Sequence, residues 1–248
     1  MNQDRQEKDE ILVGRNPIVE AINSDRSIIR IMVAKGSHGS SAAEIIKKAK
    51  AKGIPVSEVE AKKLDYMTGG AVHQGVAAIC AAAQYKSVED ILALAEERGE
   101  PPFLVILDAI EDPHNLGAIV RSAECAGAHG VIIKSRHGAG LTFTAYKAAA
   151  GALEYLPVAR VTNISDTIEE LKKKNIWIYG ADMNGVDYRD CDFSGAAALV
   201  IGNEGKGISR LVREKCDQIV SLPLKGHINS LNASVAAGIL MYKIAEKR

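Results

Sequence analysis

The chain has 248 residues, and its 31 basic and 31 acidic side chains give a formal net charge of zero at pH 7. Its 47% of hydrophobic and 25% of charged residues are ordinary for a soluble globular protein and exclude disorder over most of the length. The balanced charge also excludes a strongly basic nucleic-acid coat, and the 4% of aromatic residues give little support to base stacking on an aromatic platform.

The sequence gives no support for a targeting segment, a membrane span or a metal site. Residues 1–10 are almost all polar or charged, which predicts a disordered tail and not a signal peptide. The longest stretch without charge, residues 66–85, is too polar and too rich in glycine to span a membrane. The cysteines at positions 80, 125, 191 and 216 have neither zinc-ligand nor disulfide spacing. We therefore expect a cytoplasmic protein with reduced thiols and no bound metal.

Residues 11–85 are predicted to form a small α/β unit. Its elements in chain order are a helix over Asn16–Ile22, a strand over Ile28–Val33, a helix over Ser41–Lys52, and strands over Ile54–Val59 and Gly75–Ala83. Residues 1–86 hold 13 basic against 10 acidic side chains, which favours this part as the one that meets a polyanion. Chance and a solvated helix face explain the same excess equally well.

A second domain over residues 101–248 is predicted beyond a linker at 86–100, in which Ser87 caps a helix. Six apolar runs follow, at Phe103–Leu107, Val131–Ile133, Pro157–Val161, Ile176–Tyr179, Ala197–Ile201 and Gln218–Leu222. Helical segments separate and follow them, at Asn115–Ala126, Ala145–Leu153, Ile164–Lys174, Ile208–Cys216 and Leu231–Ala245. This alternation predicts a parallel α/β sheet, in which ligands bind at loops beyond the carboxyl ends of the strands.

The first polar loop at such a position follows Asp108 and leads into a helix that carries Asn115 and Arg121. Six residues of helix place the two side chains about 120° apart, so both can border one cleft at the loop end. The alternatives are that Asn115 only caps the helix and that Arg121 pairs with Glu124.

The second loop has glycines at positions 202, 205 and 207 between a strand and a helix, which indicates a close approach of the backbone to another group. Its spacing matches neither the G-x-G-x-x-G fingerprint of dinucleotide sites nor the Walker A loop. Glu204 in this loop is either a functional carboxylate or a cap for nearby amides.

The third loop breaks a strand at Pro223 and leads into an alanine-rich helix, for which Ser230 is the predicted N-cap. Asn232 and Ser234 are poor helix formers in its first turn. They either bind another group or belong to a redundant cap.

Together the three loops resemble the three motifs of the SpoU family of RNA ribose methyltransferases, also called the TrmH family. The first motif matches Asp-Pro-His-Asn-Leu-Gly-Ala-Ile-Val-Arg-Ser-Ala-Glu from position 112, and the second matches Ile-Gly-Asn-Glu-Gly-Lys-Gly from position 201. The third matches Leu-Pro-Leu at position 222 followed by Asn-Ser-Leu-Asn-Ala-Ser-Val-Ala from position 229. Residues 11–85 resemble, more loosely, the small L30e-like substrate-binding domain of the family. The chain looks most like the bacterial branch that methylates a guanosine 2′-hydroxyl of 23S rRNA, since relatives acting on tRNA usually lack that domain.

The resemblance implies a SPOUT-like α/β domain whose C-terminal part forms a deep trefoil knot. It also implies a homodimer with active sites built from both subunits, and S-adenosylmethionine held mostly by the backbone of the knotted loops. The cofactor-facing positions that it implies are Ala181, Met183, Ile201, Gly202, Glu204, Gly207, Leu222, Pro223, Ser230, Leu231 and Asn232. The apolar face of the last helix either forms the interface or belongs to the core, and it carries Leu231, Val235, Ile239 and Tyr242.

The resemblance makes Arg121 the catalytic residue, which is sometimes described as the base. Because a guanidinium is a poor base, we favour Arg121 as a clamp on a phosphate that relays the proton, and as a stabiliser of alkoxide charge. Asn115 is expected to orient the ribose or the phosphate, and Glu204 to order Arg121 or loop amides. Ser230 and Asn232 are expected to shape the pocket and position the hydroxyl. Candidates for RNA phosphate contacts in the N-terminal domain are Arg15, Arg26, Arg30 and Lys35.

Other functions remain as alternatives. The same fold can serve as a catalytically silent RNA-binding or assembly factor, although the intact polar residues of the three loops argue against it. A small-molecule α/β enzyme is disfavoured because the nucleotide fingerprints are missing and a separate N-terminal domain is present. The nearest alternative is the same chemistry on tRNA or on a different rRNA position.

Overall fold

The computed structural model describes residues 10–23, 27–36, 40–81, 84–228 and 230–248. The chain divides into two compact units, Met1–Gln84 and Tyr85–Arg248. Nine residues of the tail predicted at 1–10, and Arg26 among the predicted RNA contacts, lie outside the described residues. Within the described ranges, no helix has the length and apolar character needed to cross a membrane.

The first unit is built on a four-stranded sheet. Its elements are β1 (Glu10–Val13), α1 (Arg15–Asn23), β2 (Ile28–Ala34), α2 (Ser40–Ala51), β3 (Val56–Val59), α3 (Ala61–Met67) and β4 (Val76–Cys80). The strand order is β1-β4-β2-β3, and β2 and β3 are parallel while the other pairs are antiparallel. The predicted pattern did not include β1 and α3. Both are short, and α3 buries only Leu64, so neither shows a hydrophobic period that is readable in the sequence.

The second unit is an α/β domain on a six-stranded sheet, as the alternating apolar runs predicted. Its elements are α4 (Val88–Arg98), β5 (Phe103–Asp108), α5 (Pro113–Cys125), β6 (Gly130–Lys134), α6 (Phe143–Ala149), β7 (Val158–Val161), α7 (Ile164–Lys173), β8 (Trp177–Asp187), β9 (Ala197–Gly202), α8 (Arg210–Lys215), β10 (Gln218–Ser221) and α9 (Ala233–Ala245). The strands run parallel in the order β10-β8-β9-β5-β6-β7. The trefoil knot stays a prediction.

Of the three N-caps considered from the sequence, at Ser87, Asn115 and Ser230, the structure confirms one. Ser87 caps α4 in a complete capping box with Asp90, as predicted. The last helix is capped by Asn232 and not by Ser230, because Oδ1 of Asn232 accepts from the backbone N–H groups of residues 234 and 235. The cap of α5 is Asp112, ahead of a proline at the first helical position, so the alternative in which Asn115 caps that helix is wrong.

Strand β8 extends well beyond the four residues predicted for it. The polar residues Asp182 and Asn184 and the glycine at 185 interrupt its apolar run in the sequence, yet the backbone continues as a strand to Asp187. It pairs with β10 across a register shift between Ile219 and Val220. A Cβ at Gly185 would lie only 2.6 Å from the carbonyl oxygen of Ile219, so this close pairing requires glycine.

Candidate active site at the carboxyl ends of β5 and β9

The candidate site lies where the strand order reverses. From β5 the chain proceeds to β6 and β7 on one side, whereas β9, β8 and β10 occupy the other side. Asp108 at the end of β5 lies opposite Gly202 at the end of β9. In open parallel sheets, the loops that leave such a reversal diverge and form the crevice in which ligands bind. The first and second polar loops emerge at this point.

The glycine loop after β9 is closed on itself. Asn203 and Gly207 exchange two backbone hydrogen bonds, of 3.0 and 2.8 Å. Oδ1 of Asn203 accepts from the backbone N–H of Gly205 at 2.9 Å, and its Nδ2 donates to the carbonyl of Ala109 at 3.0 Å. A Cβ at Gly202 would lie 2.2 Å from the carbonyl carbon of Gly207. The close approach that the sequence predicted at Gly202 is therefore an approach to the loop's own backbone.

Three side chains from the three polar loops meet at one carboxylate oxygen. Oε1 of Glu204 accepts from Nδ2 of Asn115 at 2.9 Å and from Nδ2 of Asn232 at 2.6 Å. Nδ2 of Asn232 also donates to Oδ1 of Asn115 at 2.9 Å, and the backbone N–H of Ala233 lies 3.4 Å from the same Glu204 oxygen. We call Asn115, Glu204 and Asn232 the amide–carboxylate triad. The sequence predicted a role for each residue but not these contacts.

Two further carboxylates, which sequence reasoning did not select, hold the segment that follows the glycine loop. Asp108 is buried at 3% exposure, and its Oδ2 accepts from the backbone N–H of Ser209 at 2.7 Å. Asp182, in β8, forms an ion pair of 2.6 Å with Arg213 of α8 and accepts from the backbone N–H of Asn184 at 2.9 Å. Burial raises the pKa of Asp182, but the hydrogen bonds from Arg213 and Asn184 together with the charge of Arg213 outweigh it, so that this pKa lies below its ordinary value of 3.8. The available signal was an acidic residue near the end of an apolar run, since Asp108 directly follows Leu107 and Asp182 comes three residues after Tyr179.

A cleft of about 310 Å³ lies against β8, the glycine loop and the start of α9. Its size falls within the range of small-molecule sites. The predicted cofactor positions that line it are Ala181, Met183, Ile201, Gly202, Glu204, Gly207, Leu222, Ser230 and Leu231. Pro223 and Asn232 do not line it, and the Asn232 side chain is instead engaged in the triad and the cap. Lining residues that the sequence did not indicate include Asp182, Asn184, Leu224 and Leu240.

Arg121 is separate from the triad. It lies on the exposed side of α5, whereas Asn115 on the same helix is buried at 7% exposure. Among the described residues, its guanidinium has neither a hydrogen-bond nor an ion-pair partner. The alternative in which Arg121 pairs with Glu124 is therefore wrong, and Glu204 does not bind Arg121. The neighbouring Ser122 faces Gly238 of α9, since a Cβ at Gly238 would lie 3.9 Å from the Ser122 hydroxyl. Arg121 immediately precedes this contact with α9 in the sequence of α5.

The predicted phosphate contacts of the first unit are only partly available. Nε of Arg15 donates to the carbonyl of Gln74 at 3.1 Å, and Nζ of Lys35 forms an ion pair of 2.8 Å with Glu60. Arg15 and Lys35 both follow strands that end at the same edge of the sheet, next to the start of β4. Arg30 lies earlier in β2 and is exposed. The structure therefore groups Arg15 with Lys35 and places Arg30 apart from them.

Comparison with known proteins agrees with this architecture. Residues 102–242 match the model of the SpoU rRNA Methylase family, and residues 11–86 match the model described as RNA 2′-O ribose methyltransferase substrate binding. The chain is 48% identical over 238 residues to the putative TrmH family tRNA/rRNA methyltransferase YacO of Bacillus subtilis, covering 96% of this chain and 95% of that protein.

Solved structures of similar proteins extend over both units. The SpoU methyltransferase AviRb from Streptomyces viridochromogenes, in complex with the cofactor AdoMet, has a TM-score of 0.70 at 25% identity and covers 99% of this chain and 93% of that one. The AdoMet-bound rRNA methyltransferase from Sinorhizobium meliloti has a TM-score of 0.66 at 25% identity and covers 96% of this chain and 87% of that one. On both its sequence and its fold, the chain belongs to the SpoU (TrmH) family of RNA methyltransferases.

Proposed function

We propose that this protein transfers a methyl group from S-adenosylmethionine to the 2′-hydroxyl of an RNA ribose. The observation that carries the proposal is the amide–carboxylate triad, which joins the three polar loops at the wall of the cleft. The triad holds the loops in fixed relative positions before any ligand binds. Such preorganisation is what an in-line displacement needs, because the attacking oxygen, the carbon and the leaving sulfur must be aligned.

The cleft fits S-adenosylmethionine by its chemistry. Apolar side chains, among them Met183, Leu222 and Leu231, offer a surface for the adenine ring, and the polar backbone of the glycine loop lies beside them. The two acidic residues of the cleft, Asp182 and Glu204, complement the positive charge of a sulfonium and an ammonium group. When bound, the cofactor supplies a methyl group that is already activated as a sulfonium.

The chain's own residues must then bind the ribose and handle one proton. The new bond forms between the 2′-oxygen and the methyl carbon, the carbon–sulfur bond breaks, and the hydroxyl proton leaves. Arg121 presents an exposed guanidinium fork with no partner in the part of the chain that the structure describes, which suits bidentate contact with a phosphate and stabilises negative charge on the attacking oxygen. The phosphate that it holds is the proposed proton acceptor, because a guanidinium stays protonated at neutral pH. Asn115 and Asn232 orient the loops around the ribose, and Ser230 at the cleft wall positions the hydroxyl.

The proposed substrate is a guanosine of 23S rRNA. A similar protein that is named an rRNA methyltransferase spans both units of this chain, and the family model for the second unit is described as an rRNA methylase. The preference for guanosine rests on resemblance to the 23S rRNA branch. The proposed place of action is the cytoplasm, and the four cysteines are free thiols.

A homodimer is proposed from the exposed apolar stripe formed by Leu231 and residues of α9. Leu231, Val235, Ile239 and Tyr242 are exposed at 38%, 49%, 40% and 54%, so they are not part of this chain's core. Burying such a stripe is a typical reason for two subunits to associate. We expect Ile239→Glu to shift the protein from dimer to monomer in light scattering, whereas Leu211→Glu, at an exposed residue of α8, leaves the dimer intact.

The decisive experiment is methyl transfer from labelled S-adenosylmethionine to 23S rRNA and to bulk tRNA, with Arg121→Ala and Arg121→Lys beside the wild type. We expect label in 23S rRNA at a ribose 2′-hydroxyl and its loss in Arg121→Ala. Because lysine lacks the planar fork, Arg121→Lys is expected to lose at least tenfold in turnover. Near-normal turnover of Arg121→Lys would contradict the clamp.

Each other outcome selects one of the alternatives. Label in tRNA alone would keep the chemistry and change the substrate. Cofactor binding without label in either RNA would indicate either that the substrate is an assembly intermediate or that the protein is a non-catalytic RNA-binding factor. The same assay with isolated ribosomal precursor particles as the substrate separates these two readings, because only an enzyme that acts on an assembly intermediate would label them.

A further inference from the structure

Two apolar side chains of the first unit project into solvent. Tyr66 in α3 and Val72 in the turn after it are exposed at 89% and 84%, more than any other large hydrophobic side chain among the described residues. The neighbouring Leu64 is fully buried and anchors α3 to the unit's core. Tyr66 and Val72 therefore contribute little to folding and are accessible to a ligand.

Hydrogen bonds fix the backbone of the turn between α3 and β4, which follows Tyr66 and carries Val72. The ring of His73 is held from both sides, because its Nδ1 accepts from the backbone N–H of Gly75 at 3.0 Å and its Nε2 lies 3.0 Å from Oδ1 of Asp65. The helix end is closed by the N–H of Thr68, which donates to Leu64, and by that of Gly70, which donates to Asp65, both at 2.9 Å. A surface fixed in this way loses little conformational entropy when it binds a ligand.

Two cations share the helix face of Tyr66. Lys62 and Lys63 precede it by four and three residues, so their side chains are its neighbours on α3, and both are exposed. Neither ammonium group has a partner among the residues that the structure describes.

The nearby carboxylates are already engaged. Glu60 is paired with Lys35 at 2.8 Å, and Asp65 is paired with His73. The ammonium groups of Lys62 and Lys63 therefore remain available for an anion.

We propose that Tyr66, Val72, Lys62 and Lys63 form a binding site for an unpaired RNA nucleotide. The base stacks on the Tyr66 ring with Val72 at its edge, and one of the lysines contacts the adjoining phosphate. An aromatic face beside free cations is the combination with which proteins bind single-stranded nucleic acid, whereas bases inside a duplex are closed to stacking. Exposed lysines favour this ligand over a protein partner, because the centres of protein interfaces are depleted in lysine. The inference rests on the proposed function only in taking RNA as the substrate.

The test is filter binding of the full chain to a transcript of 23S rRNA and to a fully paired RNA duplex. Tyr66→Ala is expected to weaken binding of the transcript about 5- to 100-fold, the range for one base that no longer stacks, and to leave duplex binding unchanged. Tyr66→Phe keeps the ring and should bind within about twofold of the wild type. The double variant Lys62→Gln/Lys63→Gln should lower the slope of log affinity against log salt by about 0.7 for each phosphate that the protein no longer neutralises.

Tyr155→Ala is the matched control, because Tyr155 is exposed at 75% in the second unit. It should bind both RNAs as the wild type does. Equal thermal unfolding of Tyr66→Ala and the wild type confirms that the substitution leaves the fold intact.

The outcomes separate this inference from the proposed function. Transcript binding that depends on Tyr66, in a protein that transfers no methyl group, would support the site and contradict the enzyme. If Tyr66→Ala binds the transcript as tightly as the wild type, the proposed RNA site is wrong whatever the methyl-transfer result. The exposed surface around Tyr66 would then be assigned to a protein partner. Equal weakening in Tyr66→Phe and Tyr66→Ala would also overturn the proposed RNA site, because stacking would not be the source of the affinity.

Discussion

Oδ1 of Asn115 accepts a hydrogen bond of 2.9 Å from Nδ2 of Asn232, although 117 positions of the chain separate the two residues. Glu204 accepts from both amides with a single carboxylate oxygen. The start of α5, the glycine loop and the start of α9 are thereby fixed to one another. Hydrogen bonds to an ionised acceptor are the stronger kind, so this carboxylate is the main link between the loops.

Replacing Glu204 by glutamine tests that link. Glu204→Gln keeps the size of the side chain but replaces an ionised acceptor by a neutral one, which accepts more weakly. We expect the turnover number to fall at least tenfold, the equivalent of about 1.4 kcal/mol, with little change in unfolding temperature. Glu214→Gln is the control, since Glu214 only pairs with Arg210 on the surface of α8 at 3.5 Å. Wild-type turnover in Glu204→Gln would show that the triad does not position the loops.

Asp182 is expected to control cofactor affinity more than turnover. It lines the cleft and ties β8 to Arg213 of α8. Asp182→Asn removes the ion pair and should weaken the binding of S-adenosylhomocysteine about tenfold, which is the usual effect of removing a charge-assisted hydrogen bond. The turnover number at saturating cofactor should stay within a few-fold of the wild type. Calorimetry on the purified protein measures the affinity. Asp187→Asn is the control, because Asp187 pairs with Arg189 and does not line the cleft.

The two glycines Gly202 and Gly205 should differ in their tolerance of alanine. A Cβ at Gly202 meets the backbone of Gly207 at 2.2 Å, and backbone cannot move aside as a side chain can. Gly202→Ala is therefore expected to lower the free energy of unfolding by about 1–3 kcal/mol or more, as overpacking does. A Cβ at Gly205 would lie 3.6 Å from the nearest atom, which is an ordinary contact. Gly205→Ala should therefore change the free energy of unfolding by less than about 1 kcal/mol. Urea unfolding of both variants measures the difference, and equal destabilisation would contradict this account.

The buried ring of His129 should make stability depend on pH. Burial lowers the pKa of His129 below its ordinary value of 6.5, and the hydrogen bond to Glu100 only partly offsets this. Nδ1 accepts from the backbone N–H of Phe103 at 3.0 Å, a contact that a protonated ring cannot make.

At a pH between the lowered pKa and 6.5, the His129 ring is neutral in the folded protein and protonated in the unfolded chain, so unfolding takes up a proton. The contribution of His129 to the free energy of unfolding is therefore constant above about pH 6.5 and falls as the pH drops through this window. His129→Gln should flatten this dependence. His114→Gln, at an exposed residue, should preserve it. Unfolding curves between pH 5 and 8 that are parallel for all three proteins would contradict the assignment.

Cys125 is expected to be the fast-reacting thiol of the native protein. Among the four free cysteines it alone is exposed, whereas Cys80 and Cys191 are buried. Burial raises the pKa of Cys216 to about 12, so its reactive thiolate is scarce at neutral pH. Titration with a disulfide reagent should give one rapid equivalent that is absent in Cys125→Ser. Two or more rapid equivalents in the wild type would contradict the packing around the other three.

Local patterns predicted the elements that carry a strong hydrophobic period. The presence of six parallel strands in the second unit and the helix cap at Ser87 are as the sequence predicted. Elements without such a period were missed, namely β1, α3 and the polar half of β8. In β8 the strand is stabilised by pairing with β10, and strand pairing over that sequence distance leaves no local trace.

The sequence by itself determined the family and the loops in which the site lies, because the three motifs and the apolar runs are local features of the chain. Only the tertiary structure decided which residues form hydrogen bonds with one another and which line the cleft. Glu204 binds two asparagines and not Arg121, Asn232 replaces Ser230 as the cap of α9, and Asp182 enters the cleft wall. The physical reason is that a hydrogen bond is directional and short, so it depends on how the backbone brings distant segments together and not on the spacing of residues along the chain.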